Sequence, residues 1–223
     1  MTDLCLHFAP GACSRVPLIA LETIGVPFHT QVMRFMKGEH KSSQFKNLNP
    51  SGKIPVLVVN GTPIPQNVAI LIWLSKTYPQ ANLLPESNSS LIQAQVLSAL
   101  VRFSADLHPL VTRIRMPHFF CDLEGAPQRV VDMATMSMSE QLESIEADLL
   151  SQPWMLGDHW SVIDAYLHWV WFRITGAGFD PAPFPAITAH YSRTLEMPAV
   201  QRAISRENDA EALLQSEGFM PRF

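Results

Sequence analysis

The sequence predicts a two-part chain, with an α/β domain followed by an all-helical domain. Strand and helix signals alternate through the first eighty residues, a polar linker containing proline follows, and strand signals then vanish. We expect an N-terminal domain over residues 1–80, a linker over 81–88 and a C-terminal domain over 89–223.

The first domain begins with a strand–helix–strand pattern. Apolar runs predict strands over Leu4–Phe8 and residues 28–32, and helical spacing predicts a helix over Arg15–Ile24. Gly25 stands where a helix commonly ends in the left-handed conformation. Residues 37–46 are polar and predict a short, irregular helix.

A β-hairpin and a helix complete this domain. The Asn60-Gly61 pair predicts a tight two-residue turn between strands Val56–Val59 and Thr62–Pro65. The second of these strands carries two prolines, which lack an N–H, so we expect it at a sheet edge. Helical spacing then predicts a helix over residues 67–78. Together these elements predict a small mixed sheet flanked by helices.

The second domain shows only helical patterns. Residues 91–120 form a long helical stretch that Pro109 and Pro117 kink or end. Further helices are predicted over residues 128–150, 186–195 and 198–204, and a capping-box-like start, Ser161 to Asp164, opens a very apolar helix.

Composition excludes several function classes. The net charge is −4 and the basic residues are scattered, which argues against nucleic acid. No run is long enough to span a membrane, and no signal peptide is visible. Three cysteines are an odd number at unrelated spacings, which fits a reducing cytoplasm. No Cys/His cluster has zinc spacing, so we expect no metal.

A thiol-bearing loop precedes the first helix. Cys13 and Ser14 lie at its N-terminus, where an anion such as a thiolate is stabilised, and Arg15 would add to this effect. The alternative is that Cys13 is a small packed residue and Ser14 only an N-cap.

A second motif spans Asn49 to Leu57. If the Ile54-Pro55 bond is cis, the main chain of Ile54 is turned outward, where it can pair with an extended peptide. The alternative is that Pro55 merely starts a strand. Lys53 is a candidate partner for a carboxylate, or a solvated surface charge.

Weaker candidates lie elsewhere. Gln66 and Asn67 begin a helix, whose free N–H groups suit a carboxylate, although Asn67 has the alternative role of capping its own helix. His40 and the pair Asp106 and His108 are either ligand contacts or ordinary surface and structural residues.

Taken together, these motifs resemble the cytosolic glutathione transferase superfamily over nearly the whole chain. The resemblance rests on the Cys13-Ser14 loop, Asn49 to Leu57, Gln66 to Ile70, Leu83-Leu84-Pro85 and Ser161 to Tyr166. It implies a thioredoxin-like first domain, a helical second domain, a cis-Pro55 and a homodimer.

The resemblance also implies a glutathione site. By position, Ile54 would pair with the cysteinyl part of glutathione, Gln66 and Asn67 would hold its γ-glutamyl end, and Lys53 and His40 would face its glycine carboxylate.

Three further positions match the family by motif. Cys13 looks like the catalytic-site cysteine of the bacterial beta class, and His108 like the histidine that this class brings near the thiol. Asp106 resembles the acid that some classes extend across the dimer. The activating residue is either Cys13 or Ser14.

The chain departs from the family pattern at several positions. Gln66 and Asn67 replace the usual Glu-Ser pair, and Phe8 stands where the beta class often has tyrosine. Residues 38–41 look theta-like, yet Gly11 occupies the position of the theta-type serine. The sequence therefore combines beta-like and theta-like features.

The function that the resemblance implies is that of a cytoplasmic, detoxifying glutathione transferase. Glutathione is the cosubstrate, and the second substrate is a small apolar electrophile. The alternatives are a glutathione-dependent isomerase or thiol reductase or lyase that uses Cys13, and a non-catalytic glutathione-binding protein.

Overall fold

A computed structural model describes residues 2–219 of the chain. The chain forms two compact units, one comprising the described residues up to Leu83 together with those from Met197, and one spanning Leu84–Glu196. The first unit thus takes in a C-terminal segment that the predicted domain over 89–223 assigned to the helical part. The predicted domain boundaries themselves stay a prediction.

Four strands and nine α-helices occur within residues 2–219. The strands are β1 (Leu4–Phe8), β2 (His29–Val32), β3 (Val56–Val59) and β4 (Thr62–Pro65). The helices are α1 (Arg15–Ile24), α2 (Ser43–Leu48), α3 (Asn67–Thr77), α4 (Ser90–Arg102), α5 (His108–Arg115), α6 (Ala126–Ser151), α7 (Val162–Thr175), α8 (Pro185–Leu195) and α9 (Pro198–Ser216).

The first unit is built on one mixed sheet with strand order β2-β1-β3-β4. β1 and β2 are parallel, whereas β3 is antiparallel to both β1 and β4. Asn60 and Gly61 both have positive φ, 47° and 83°, as a tight turn between twisted strands requires. The thioredoxin-like first domain and the edge position of β4 are confirmed.

The two faces of β1 have different surroundings. Leu4, Leu6 and Phe8 are fully buried on one face, as the period of two in a strand requires. On the other face, the rings of His7 and Phe45 lie 5.6 Å apart, centroid to centroid. Phe45 belongs to α2, so this short helix covers the second face of the sheet. Two 3₁₀ turns, over residues 35–41, precede α2 where one irregular helix was predicted.

The last helix of the described chain, α9, packs against α1 in the same unit. It extends to Ser216, twelve residues beyond the predicted end at Ile204. Its buried positions recur every three or four residues, and one of them is an acid, Glu207. Because the period is interrupted by a charge, the apolar pattern failed to predict the second half of this helix.

The second unit contains only helices and their connections within the described residues. Between α4 and α5 the chain forms one π-type turn, over Phe103–Leu107. Pro109, at the start of α5, cannot donate an N–H to the preceding turn, which explains the change of helical register there. α7 is the most deeply buried helix, as its apolar sequence predicted.

Candidate active site

Cys13 lies in the loop that joins β1 to α1. Its thiol donates a hydrogen bond to the carbonyl oxygen of Ile54, at a sulfur–oxygen distance of 3.7 Å. The side chain is partly buried, and no disulfide joins the described cysteines. The structure therefore brings together two predicted site residues that are 41 positions apart.

Ser14 has a different environment from Cys13. Its side chain is fully buried, where the hydroxyl accepts a hydrogen bond from the Ala9 N–H and donates one to the Ala9 carbonyl, at 3.2 and 3.3 Å. It makes no side-chain cap for α1. These two bonds close the β1–α1 loop upon itself, and they direct the hydroxyl at backbone groups of that loop.

The positive charge of Arg15 is engaged by α9. Its Nε donates to a carboxylate oxygen of Glu207 at 2.9 Å, and a second guanidinium nitrogen contacts the same oxygen. Only 7% of the Arg15 side chain and 3% of that of Glu207 are exposed. The sequence predicts that Arg15 adds positive charge at the thiol loop; in the structure, a buried carboxylate offsets that charge.

Ile54 lies just outside the sheet. β3 begins at Val56, which pairs with His7 on one side and with Pro65 on the other. Ile54 is therefore beyond the strand ladder and only partly buried, while Pro55 is buried. The Ile54-Pro55 peptide bond is cis.

Asn49 braces the segment that leads to Ile54. Its side-chain amide donates to the Lys53 carbonyl at 2.6 Å, and its side-chain oxygen accepts bonds from the N–H and hydroxyl of Ser51. The Lys53 side chain itself is exposed. Asn49 begins the predicted motif, but this bracing role was not predicted, although an asparagine beside turn residues commonly bonds to neighbouring backbone groups.

His40 lies against the same segment. A β-carbon at position 52 would be 2.7 Å from the His40 carbonyl oxygen, so only glycine permits this approach. The His40 ring contacts that of Phe35, with centroids 4.9 Å apart. Partial burial, and secondarily the charge of Lys41, lower the pKa of His40. The structure thus places the backbone of His40 beside the residue that precedes Lys53.

The start of α3 contributes Gln66 and Asn67. Gln66 is exposed and has φ 78° and ψ 127°. Residues other than glycine adopt this backbone conformation only at a cost in free energy. Asn67 is the first helical residue, and its side-chain amide donates to the Cys13 carbonyl at 3.1 Å. Asn67 therefore ties α3 to the thiol loop, and the alternative that it caps its own helix is not what the structure shows. No pattern in the sequence predicts the unusual backbone conformation of Gln66.

Asp106 and His108 belong to the second unit. Asp106 is exposed on the π-type turn. The Nδ1 atom of His108 lies 2.8 Å from the hydroxyl of the buried Tyr166, and its ring packs edge-on against Trp169 with centroids 4.6 Å apart. His108 thus has structural partners within its own unit. The roles that the resemblance implies for both residues remain predictions.

Residues 2–219 contain neither a candidate membrane-spanning helix nor a candidate metal site. No described helix is both long and apolar enough to cross a membrane. No group of three or more histidine, cysteine or acidic side chains in that range has the arrangement of a metal site.

Comparison with known proteins identifies the architecture. Residues 11–77 match the glutathione S-transferase N-terminal domain family. Glutathione S-transferase GST-4.5 of Xanthomonas campestris pv. campestris is 29% identical over 202 residues, which cover 91% of this chain and 98% of that protein. A maleylpyruvate isomerase of Ralstonia sp is also 29% identical, over 83% of this chain and 88% of that protein.

A solved structure covers the same length. The sphingomonad glutathione S-transferase in complex with glutathione superimposes with a TM-score of 0.79 and 26% identity, covering 92% of this chain and 98% of that chain. The family match over residues 11–77 includes the thiol loop, the segment before β3 and the start of α3. The family match, the relatives and the fold together support membership of the chain in the cytosolic glutathione transferase superfamily.

Proposed function

We propose that this protein is a glutathione transferase that activates the thiol of glutathione for attack on a small apolar electrophile. The observation that carries the proposal is the contact between the Cys13 thiol and the Ile54 carbonyl. It places a thiol hydrogen-bond donor beside the main-chain group that would pair with the cysteinyl part of the peptide. A ligand thiol docked there lies next to Cys13 and the α1 N-terminus.

The remaining contacts support one orientation of glutathione. The first N–H groups of α3 and the exposed Gln66 side chain would bind the γ-glutamyl carboxylate and ammonium. Lys53 and His40 would face the glycine carboxylate at the other end, since the two residues lie on adjoining backbone segments.

The chemistry is a nucleophilic displacement. Glutathione loses its thiol proton to solvent, the thiolate forms a carbon–sulfur bond, and a leaving group such as chloride departs with the bonding electrons. In the bound state the Cys13 S–H would turn from Ile54 to the thiolate, while the Ile54 carbonyl accepts a ligand N–H. We favour Cys13 over Ser14 for this role because the Ser14 hydroxyl is buried on the Ala9 backbone.

A second candidate is a glutathione-dependent isomerase or thiol reductase. It is favoured by the partly exposed thiol of Cys13 and by the similarity to a maleylpyruvate isomerase. In the reductase version, the Cys13 thiolate attacks the glutathione sulfur of a mixed disulfide between glutathione and a substrate thiol, so that Cys13 becomes bonded to glutathione and the substrate leaves as its thiolate; a second glutathione then releases Cys13 and leaves as glutathione disulfide. A glutathione-binding protein without turnover is the third alternative.

Substitution of Cys13 separates these functions. We expect Cys13→Ala to lower kcat/KM for glutathione conjugation to chlorodinitrobenzene by about tenfold, as loss of one hydrogen bond to a charged group predicts. Loss of disulfide reductase activity with full conjugation would favour the second candidate. Binding to immobilised glutathione without turnover of any electrophile would favour the third.

Ser14→Ala serves as the contrasting variant. Because its hydroxyl bonds only backbone groups of the loop in the contacts described, we expect a lower melting temperature and little change in kcat at temperatures where the variant is folded. A large loss of kcat in a well-folded Ser14→Ala protein, with Cys13→Ala fully active, would contradict our assignment.

We also propose that the protein acts as a homodimer. Support comes from exposed apolar side chains on two helices of the second unit, Leu97 and Val101 on α4 and Met133 and Met136 on α6. Light scattering after size exclusion should give twice the chain mass of 24.9 kDa. Met133→Lys together with Met136→Lys should shift it to the monomer.

A further inference from the structure

Two acids, one in the last helix of the described chain and one just after it, form ion pairs with two parts of the proposed glutathione site, the thiol loop and the glycine end. Glu207, on α9, holds Arg15, which follows the thiol loop, although the two residues are 192 positions apart. Glu217, immediately after α9, holds Arg34 through two hydrogen bonds of 2.5 and 2.6 Å. Each acid therefore fixes a different wall of the site.

The first contact governs the position of the thiol. Arg15 is the first residue of α1, two positions after Cys13, and its guanidinium and the Glu207 carboxylate are almost completely buried. A buried ion pair with hydrogen bonds has a narrow range of acceptable geometries. The ion pair therefore fixes the position of the start of α1 relative to α9, and the thiol loop is fixed with it.

The second contact governs the loop that carries His40. The Glu39 carboxylate also accepts a hydrogen bond from the backbone N–H of Arg34 at 2.9 Å. This bond ties the two ends of the 34–39 turn together. Lys37 lies 3.8 Å from Glu217 and packs over the ring of Phe219, 4.6 Å from its centroid. Hydrogen bonding to Arg34 lowers the pKa of Glu217, which keeps its carboxylate charged.

A further contact between α1 and α9 provides an internal reference. Glu22, near the end of α1, accepts hydrogen bonds from Arg202 and Arg206 of α9 at 2.7 and 2.5 Å. Glu22 lies seven residues after Arg15, about 10 Å along the helix at 1.5 Å per residue. It joins α1 to α9 without adjoining either wall of the site.

We propose that Glu207 and Glu217 are positioning residues for glutathione chemistry, Glu207 setting the thiol loop and Glu217 setting the wall that faces the glycine carboxylate. The inference rests on the proposed function, because it assigns these two walls to glutathione. It predicts that loss of Glu207 changes kcat and that loss of Glu217 changes KM. A merely structural role would not change one of these constants without the other.

The test compares E207Q, E217Q and E22Q in the full chain. We expect E217Q to raise the KM for glutathione about threefold with kcat unchanged, because one partly exposed ion pair is lost. We expect E207Q to lower kcat by about tenfold or more, because the thiol is misplaced. E22Q should lower the melting temperature and leave both constants within about twofold.

A second variant covers the case in which E207Q fails to fold. Replacing both partners, Arg15→Met with Glu207→Leu, removes the ion pair without leaving a buried charge, a change that proteins often tolerate. The folded double variant should show the same loss of kcat. If either Glu207 variant folds with wild-type kcat, or E217Q with wild-type KM, the inference is wrong for that acid.

A readout without glutathione separates this inference from the proposed function. Alkylation of Cys13 by iodoacetamide, followed by mass spectrometry of its peptide, reports the position of the loop. We expect its rate to change at least about threefold in the Glu207 variants and to be unchanged in E22Q. A wild-type protein that neither binds nor turns over glutathione contradicts the proposed function, while unchanged alkylation contradicts the positioning by Glu207.

Discussion

The starts of α3 and α7 meet the same physical requirement in different ways. Every helix start leaves N–H groups without intrahelical partners. At α7, Ser161 and Asp164 form a complete capping box, and both are buried. At α3, Gln66 makes no side-chain cap, is exposed, and has a positive φ.

One of these helix starts stabilises the fold, and the other leaves capacity to bind a ligand. Asp164 accepts hydrogen bonds from the N–H groups of Ser161 and Met155 and also contacts His190, so its carboxylate is bound by the protein's own groups. At the start of α3, Gln66 makes no side-chain cap, and Asn67 joins the helix to the thiol loop. The first arrangement stabilises the fold, whereas the second suits an anionic ligand.

The largest expected effect comes from removing the α7 cap. Asp164→Ala should lower the free energy of unfolding by about 3–5 kcal/mol, because several buried donors lose their acceptor together. Urea unfolding followed by tryptophan fluorescence measures the change. Asp158→Ala, at an exposed position of the same loop, should change it by less than about 0.5 kcal/mol. Equal effects of the two substitutions would show that the α7 cap contributes no more to stability than an exposed acid of the same loop.

A smaller effect of opposite sign is expected at the start of α3. Gln66→Gly should raise the free energy of unfolding by about 1 kcal/mol, because relief of backbone strain outweighs the entropy cost of glycine. The same variant should weaken glutathione binding in calorimetry, since the side chain proposed for the γ-glutamyl end is lost.

Asn82→Gly is the matched control for Gln66→Gly. Asn82 also has a positive φ, 48°, but lies outside the proposed site and in a region that asparagine tolerates. It should change neither stability nor binding appreciably. A Gln66→Gly protein that binds glutathione as tightly as the wild type would show that α3 starts in a strained conformation for some other reason.

The smallest expected effect is a dependence of stability on pH that arises from two histidines of the first unit. Burial lowers the pKa of His7, and burial with a contribution from Lys41 lowers that of His40. An unfolded histidine has a pKa near 6.5, so below about that pH the unfolded chain binds more protons than the folded one. The free energy of unfolding should therefore fall as the pH drops from about 6.5 towards 5, and not above 7.

His7→Gln measures the share of one residue in that pH dependence. Each histidine contributes at most about 1.4 kcal/mol per pH unit, and less here because both side chains are only partly buried. The variant should flatten the decrease between pH 6.5 and 5. An identical pH dependence in wild type and variant would mean that His7 titrates normally in the folded protein.

Local patterns predicted the sheet closely. The bounds of β1, β3 and β4 and the end of α1 follow from apolar runs, the Asn60-Gly61 turn and Gly25, all of which act over a few residues. The same is true of the cap at Ser161. These features depend on neighbouring residues, so a single sequence is enough to indicate them.

Long-range contacts were not predictable in this way. Ser14 looked like a cap or a catalytic hydroxyl, and its bonds to Ala9 appear only once the loop has closed. The full length of α9 was not predicted because an acid, Glu207, stands at one of its buried positions and interrupts the apolar pattern. Glu207 can be buried because it pairs with Arg15, near the other end of the chain. No periodicity in the sequence announces such a partner.

The pairing of Arg15 with Glu207 has a consequence for biosynthesis. A ribosome completes the sheet of the first unit long before it makes α9, and N-terminal segments generally begin to fold first. Until Glu207 emerges, the guanidinium at the start of α1 lacks the carboxylate that holds it in the folded protein. The nascent thiol loop therefore acquires its final placement only when nearly the whole chain has been translated, and chains truncated before Glu207 should be poorly ordered there.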